Sequence, residues 1–176
     1  MAVVSQQALI LQREEWKRNG KRVVCAAGAF DLLHPGHVRL LEQARGLGDV
    51  LVVGVEMDEA VREREGRILA ATSAKSANGG GQKLPVNPAA ERAEVVAAIG
   101  VVDSVALIEV PLEKFLSTLA PDIFVHGTEP KRAATAYAAA TPAAKAIPPG
   151  IKAVAIALEP GFSTAGLLER ITTTNA

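Results

Sequence analysis

One cysteine, one tryptophan, one tyrosine and three histidines are all that 176 residues contain of these side chains. A lone cysteine excludes an internal disulfide and a cysteine-built metal cluster. Cys25 sits inside the apolar run Val23-Val24-Cys25-Ala26-Ala27 and reads as a small buried strand residue, suited to a reducing cytoplasm. Charge of one sign is also missing: 19 Lys and Arg balance 19 Asp and Glu. That balance implies neither a nucleic acid nor any other charged polymer as partner. No apolar run approaches the roughly 20 residues that span a bilayer. The opening stretch MAVVSQQALILQREEWKR turns charged too soon for a signal peptide, so neither membrane insertion nor secretion is expected.

What is present is rhythm. A chain of this length fits a single domain over 1–176. Short β-branched runs alternate with stretches of helical period. The strand candidates are 22–28, 49–56, 103–109, 122–127 and 152–158, most of them apolar on both faces. Parallel strands covered above and below by helices show that pattern. The fold class expected is therefore α/β, a doubly wound five-stranded parallel sheet. Helices are expected at the N-terminus within 1–20, carrying Trp16 as a core anchor, and over 37–47, ended by Gly48. A third opens with Asn87 as N-cap and Pro88 in the first turn, with Val95, Val96 and Ile99 facing the core. Others follow over 111–120 and 161–171, the last with Ser163 as N-cap and Phe162 and Leu167 as a hydrophobic staple. The glycine-rich segment 66–84 reads as a flexible loop, and Pro142 interrupts the alanine-rich segment 131–147.

Two of the three histidines lie in GAFDLLHPGH, residues 28–37, directly after the first strand. In open parallel sheets ligands bind beyond the carboxyl ends of the strands, where strand order reverses. Gly28 permits a tight exit from the strand, and Gly36 permits close approach of main chain to a ligand. A helix starting near Pro35 or Gly36 points unpaired N–H groups and a positive dipole end at an anion there. His34 and His37 sit at that end and can each donate to phosphate oxygens. A helix cap alone, or a metal site with His126 as the only other histidine, are the competing readings of the pair.

The stretch resembles the signature of the HxGH nucleotidylyltransferases, whose cytidylyltransferase-like branch carries G-x-F-D-x-x-H-x-G-H. Gly28, Phe30, Asp31, His34, Gly36 and His37 match every fixed position. The likeness runs over 20–171 and is strongest to the adenylyltransferases that make ADP-heptose from a heptose 1-phosphate. LGDVLVVGVEMDEA, KLPVNPAAERAEVVAAIGVVDSV, APDIFVHGTE and FSTAGLLERI each resemble a segment of those enzymes, in the same order.

The resemblance implies transfer of a nucleoside monophosphate from an NTP to a phosphorylated small molecule, with release of pyrophosphate and Mg²⁺ held through the nucleotide phosphates. It implies His34 and His37 as catalytic residues. Gly28, Ala29, Phe30, Asp31 and Gly36 then line the nucleotide, and Arg92 faces the triphosphate from its helix. His126, Gly127, Thr128 and Glu129 serve the base or ribose, and Ser163 and Thr164 the β- or γ-phosphate. Asp58 and Lys83 are weaker candidates for the acceptor pocket, with a solvated surface role as the alternative. Ala26-Ala27 and His126-Gly127-Thr128-Glu129 depart from the heptose pattern of Thr-Asn and Lys-Gly-Gly-Asp. ATP with a heptose phosphate is the first expectation, and CTP with ethanolamine phosphate or glycerol 3-phosphate the alternative. A nucleotide-binding protein without catalysis is a further alternative, whereas an NAD-binding Rossmann enzyme expects a G-x-G-x-x-G that the first turn lacks. The sugar-kinase domain often fused to the heptose enzymes is not in this sequence, and a homodimer is common among enzymes that resemble it.

Overall fold

The computed structural model describes residues 3–72, 84–128, 147–158, 161–162 and 164–174. Lys83, Glu129, Ser163, residues 73–83 of the expected loop and residues 131–146 lie outside them.

Five strands form one all-parallel sheet: β1 (Val23–Gly28), β2 (Val50–Glu56), β3 (Ser104–Ile108), β4 (Ile123–Thr128) and β5 (Lys152–Ala157). Their order is β3-β2-β1-β4-β5, so the chain winds outward from β1 in one direction and then crosses back to β4. The expected fold class is observed. The helices are α1 (Gln6–Arg18), α2 (Pro35–Arg45), α3 (Asp58–Thr72), α4 (Ala89–Ala97), α5 (Leu112–Leu119) and α6 (Thr164–Thr174). None of the described helices is long and apolar enough to cross a membrane.

The period of two within β1 separates two cores. Val24 and Ala26 join Leu51, Val53 and Val55 beneath Leu40, Leu41 and Ala44 of α2 and Ala93 and Val96 of α4. Val23 and Cys25 join Val50, Val52 and Phe124 beneath Leu9 of α1 and Phe115, Leu116 and Leu119 of α5, with Trp16 packed at the margin. Each residue of β1 through Ala26 is buried, which is why the strand is apolar on both faces.

Aspartates set the register where the strands begin. The Asp122 carboxylate accepts the Val23 N–H at 2.7 Å, Asp49 accepts that of Arg22 at 2.8 Å, and Asp103 accepts that of Leu51 at 2.8 Å. Each acid stands just before one strand and ties it to its neighbour, satisfying a donor that the parallel ladder leaves open. The three carboxylates thereby tie β1 to β4, β1 to β2 and β2 to β3 at one edge of the sheet.

Several local expectations need correction. Residues 66–72 continue α3 and are not loop. Gly66 costs about 1 kcal/mol relative to alanine in a helix interior, and the flanking helix formers outweigh that. Helix α2 ends at Arg45 with Gly46 as its C-cap. Gly48 instead makes room for the start of β1, since a Cβ there would sit 2.7 Å from the Val24 side chain. Pro88, not Asn87, is the N-cap of α4. Of the expected core face, Val96 is buried and Ile99 packs against the core, but Val95 is 55% exposed; the buried stripe runs through Ala89, Arg92, Ala93, Val96 and Ala97 at helical spacing, and Val95 falls outside it.

Candidate functional site

The reversal of strand order lies between β1 and β4, and the expected signature occupies the carboxyl end of β1. This is where an open parallel sheet forms its ligand crevice. The chain leaves β1 on a strained path, with φ of 50° at Phe30 and 44° at Leu32. Left-handed backbone at bulky residues costs on the order of 1–3 kcal/mol each and persists only where the surroundings enforce it.

Asp31 supplies part of that enforcement. Only 4% exposed, its carboxylate accepts the N–H groups of Val86 at 2.7 Å and Asn87 at 3.1 Å. Its own carbonyl accepts the Thr164 hydroxyl at 3.1 Å, bringing the start of α6 against the loop. Asp31 and the Thr164 side chain, both expected at the nucleotide, thus bond to protein groups and hold three segments together. The reason is chemical: a buried carboxylate needs donors, and two consecutive amides provide them.

The loop delivers His34 to the N-cap of α2 and Pro35 to its first position, where a missing N–H costs nothing. The His34 and His37 rings stack with centroids 3.9 Å apart. The His34 backbone N–H donates to Nδ1 of His37 at 3.4 Å. An accepting Nδ1 places the proton of the neutral ring on Nε2, which is thereby a donor. Burial, with the adjoining His34 second, pushes the His37 pKa down to about 4. Burial also lowers that of His34, whose Nδ1 is buried without a hydrogen-bond partner among the described residues. Partial burial of the two stacked imidazoles favours their neutral forms, and an arriving anion favours the charged ones.

Gly36 has a packing role that the sequence reading assigned to ligand approach. A Cβ there would lie 3.0 Å from both His34 Nδ1 and Phe162 Cβ, so the imidazole and Phe162 fill that space. Phe162 stacks on His34 at 6.3 Å, and the Arg39 guanidinium lies 5.5 Å from the Phe162 ring centroid. Sequence reasoning took Phe162 only for a helix staple. Its position beside the matched Ser163-Thr164 was the available signal. Phe30, expected to line the nucleotide, is buried, packs 5.6 Å from His37 and fills the space beside Gly28.

Arg92 departs most from expectation. Its side chain is 1% exposed and bonded to protein oxygens: Nε donates to Asn87 O at 2.9 Å, Nη1 to Ala29 O, and Nη2 to Glu56 O at 2.9 Å and Asp58 Oδ1 at 2.5 Å. Asp58, expected in an acceptor pocket, is the counter-ion. The guanidinium does not face an open phosphate crevice. It lies below the loops because Arg92 and Ala93 share the buried side of α4.

At the end of β4 the His126 ring stacks on Phe124 at 6.3 Å. Its Nδ1 is buried without a partner among the described residues, and burial lowers its pKa. Gly127 is required by Leu158, 2.8 Å from where a Cβ would stand, and Thr128 donates to Ile156 O at 3.4 Å. These contacts stitch β4 to β5 and leave His126 as the polar side chain of this turn lacking a described partner.

No group of three or more His, Cys, Asp or Glu capable of caging a metal exists among the described residues. With Asp31 and Asp58 bonded to protein groups, the donor set fits an ion carried on phosphate oxygens and water, as Mg²⁺ commonly is.

Fold and site together define an α/β domain of the Rossmann-like nucleotidylyltransferase type. The chain belongs to the cytidylyltransferase-like family, matched over residues 25–144. It is 41% identical over 127 residues to the Bifunctional protein HldE of Koribacter versatilis, covering 71% of this chain and 23% of that protein. It is 36% identical over 168 residues to the Bifunctional protein HldE of Rhodopseudomonas palustris, covering 94% of this chain and 30% of that one. The chain thus spans less than a third of these curated relatives. Among solved structures, the lipopolysaccharide core biosynthesis protein from Thermoplasma volcanium superposes with a TM-score of 0.52 at 26% identity, covering 80% of this chain and 98% of that one.

Proposed function

We propose that this protein transfers a nucleoside monophosphate from an NTP to a phosphorylated small molecule, with ATP and a heptose phosphate as the substrates. The observation that carries the reading is the His34–His37 pair, stacked at the start of α2 beside the strand-order reversal, with Nε2–H of His37 available as a donor. The HldE relatives and the structural neighbour, a lipopolysaccharide core biosynthesis protein, support the sugar. Chain coverage supports assigning to this domain only one of the two activities that the word bifunctional implies.

The chemistry requires no protein nucleophile. An oxygen of the acceptor phosphate, already anionic, attacks the α-phosphorus; the bond to the bridging oxygen breaks, and its electron pair leaves with pyrophosphate. His34 and His37 donate to the phosphate oxygens on which charge grows, and the α2 N-terminus adds its backbone N–H groups. Mg²⁺ bound through the phosphates would supply further charge neutralisation. Partial burial of the imidazoles strengthens each donor by lowering the local dielectric.

Pyrophosphate release measured with each of the four NTPs against a panel of phosphorylated sugars and alcohols tests this. ATP with a heptose phosphate is expected to give the highest kcat/KM. His126, near the carboxyl end of β4 with no partner for its Nδ1 among the described residues, favours the second reading, CTP with a phosphorylated alcohol, and activity with CTP alone would establish it. Tight NTP binding with no release across the panel would show a binding protein.

A further inference from the structure

A guanidinium has five N–H donors. In Arg92 four are engaged, by oxygens from four separate places: Asn87 before α4, Ala29 in the signature loop, Glu56 at the end of β2 and Asp58 at the start of α3. Both hydrogens of Nη2 and the one of Nε are used, leaving a single hydrogen on Nη1. Gripping a phosphate with two parallel bonds therefore requires breaking protein contacts inside a site where the side chain is 1% exposed. Resting on the nucleotide-transfer reading above, we infer that Arg92 is a positioning residue for the histidine pair, anchored by Asp58, and not a ligand of the triphosphate.

The route is short. The Ala29 carbonyl belongs to the peptide plane that precedes Phe30, where φ is 50°. Fixing that plane holds Phe30 in its left-handed conformation, and the Phe30 ring packs 5.6 Å from His37. Asp58 supplies the negative charge without which a buried guanidinium is costly. Removal of either partner frees the loop before it disturbs the phosphates.

The test compares wild type, Asp58→Asn and Arg92→Lys by pyrophosphate release and by calorimetric titration with ATP and AMP, and with CTP and CMP in parallel. Displacement of a catalytic group by about 1 Å costs about 10²-fold. The expected result is a kcat reduced toward that extent in both variants, with the triphosphate-to-monophosphate affinity ratio within about twofold of wild type. A phosphate ligand predicts the opposite pattern. Asp58→Asn would release the guanidinium and tighten triphosphate binding, and Arg92→Lys would lower the ratio. Either of those results, or unchanged kcat in both variants, overturns the positioning role. Should Arg92→Lys fail to fold, the near-isosteric Asp58→Asn decides alone, by the sign of its effect on the ratio. A wild type that binds both nucleotides but releases no pyrophosphate overturns the proposed transfer, while the ratio still decides what Arg92 does.

Discussion

At the scale of single residues, the site depends on side chains fixed by a few protein contacts. His37 holds its Nδ1 toward the His34 N–H and so presents Nε2–H as a donor, a choice of tautomer that one backbone contact makes. Loss of a donor to developing phosphate charge costs about 2.7–4 kcal/mol of barrier, by analogy with oxyanion-hole donors. His37→Ala is accordingly expected to retain the thermal transition of the wild type and to lose about 10²- to 10³-fold in kcat for pyrophosphate release. Undiminished turnover would falsify the role given to His37. The two histidines were visible in the sequence as a pair, since a ten-residue stretch held them beside Gly28 and Gly36. Arg92 was visible only as a match, because nothing along the chain indicates that residues 29, 56 and 58 converge on position 92.

At the scale of elements, the strands were legible to within a residue at most ends, since buried parallel strands are runs of Val, Ile and Leu bounded by Asp or Gly. Boundaries governed by competing local preferences were less so. Asn87 is a better N-cap type than Pro88, yet its N–H goes to Asp31 and its carbonyl to Arg92, so tertiary bonds claimed it first. Asp122 illustrates an element junction in one carboxylate: it accepts the Val23 N–H at 2.7 Å and lies 3.7 Å from Arg13 of α1. Asp122→Ala strips the acceptor from a buried strand donor. It is expected to destabilise the fold by about 1–3 kcal/mol, read as a lower urea midpoint with an unchanged m-value.

At the scale of the whole molecule, the partly buried imidazoles couple stability to pH. The folded pKa of His37, about 4, lies below its ordinary 6.5. Between those values the unfolded chain binds more protons than the folded one, so stability falls as the pH drops through that window. Above 6.5 the contribution is fully present. From pH 7 to pH 5 the His37 share amounts to about 1–2 kcal/mol after allowance for partial exposure of the ring. His34 and His126, also lowered, act in the same direction. Denaturant titrations at the two pH values should therefore show a steeper loss for wild type than for His37→Gln; equal losses would remove His37 from the acid response.

The sequence by itself determined the alternation of strand and helix, the two-faced burial of the central strands and the pairing of two histidines with two glycines in residues 28–37. Those properties are local: periodicity, turn residues and donor types are written in adjacent positions. Strand order, the strained exit from β1, the tautomer of His37 and the enclosure of Arg92 were decided by tertiary structure alone. Each depends on groups tens of residues apart whose hydrogen bonds must be satisfied together once water is excluded, and the arrangement that satisfies them all is a property of the packed molecule.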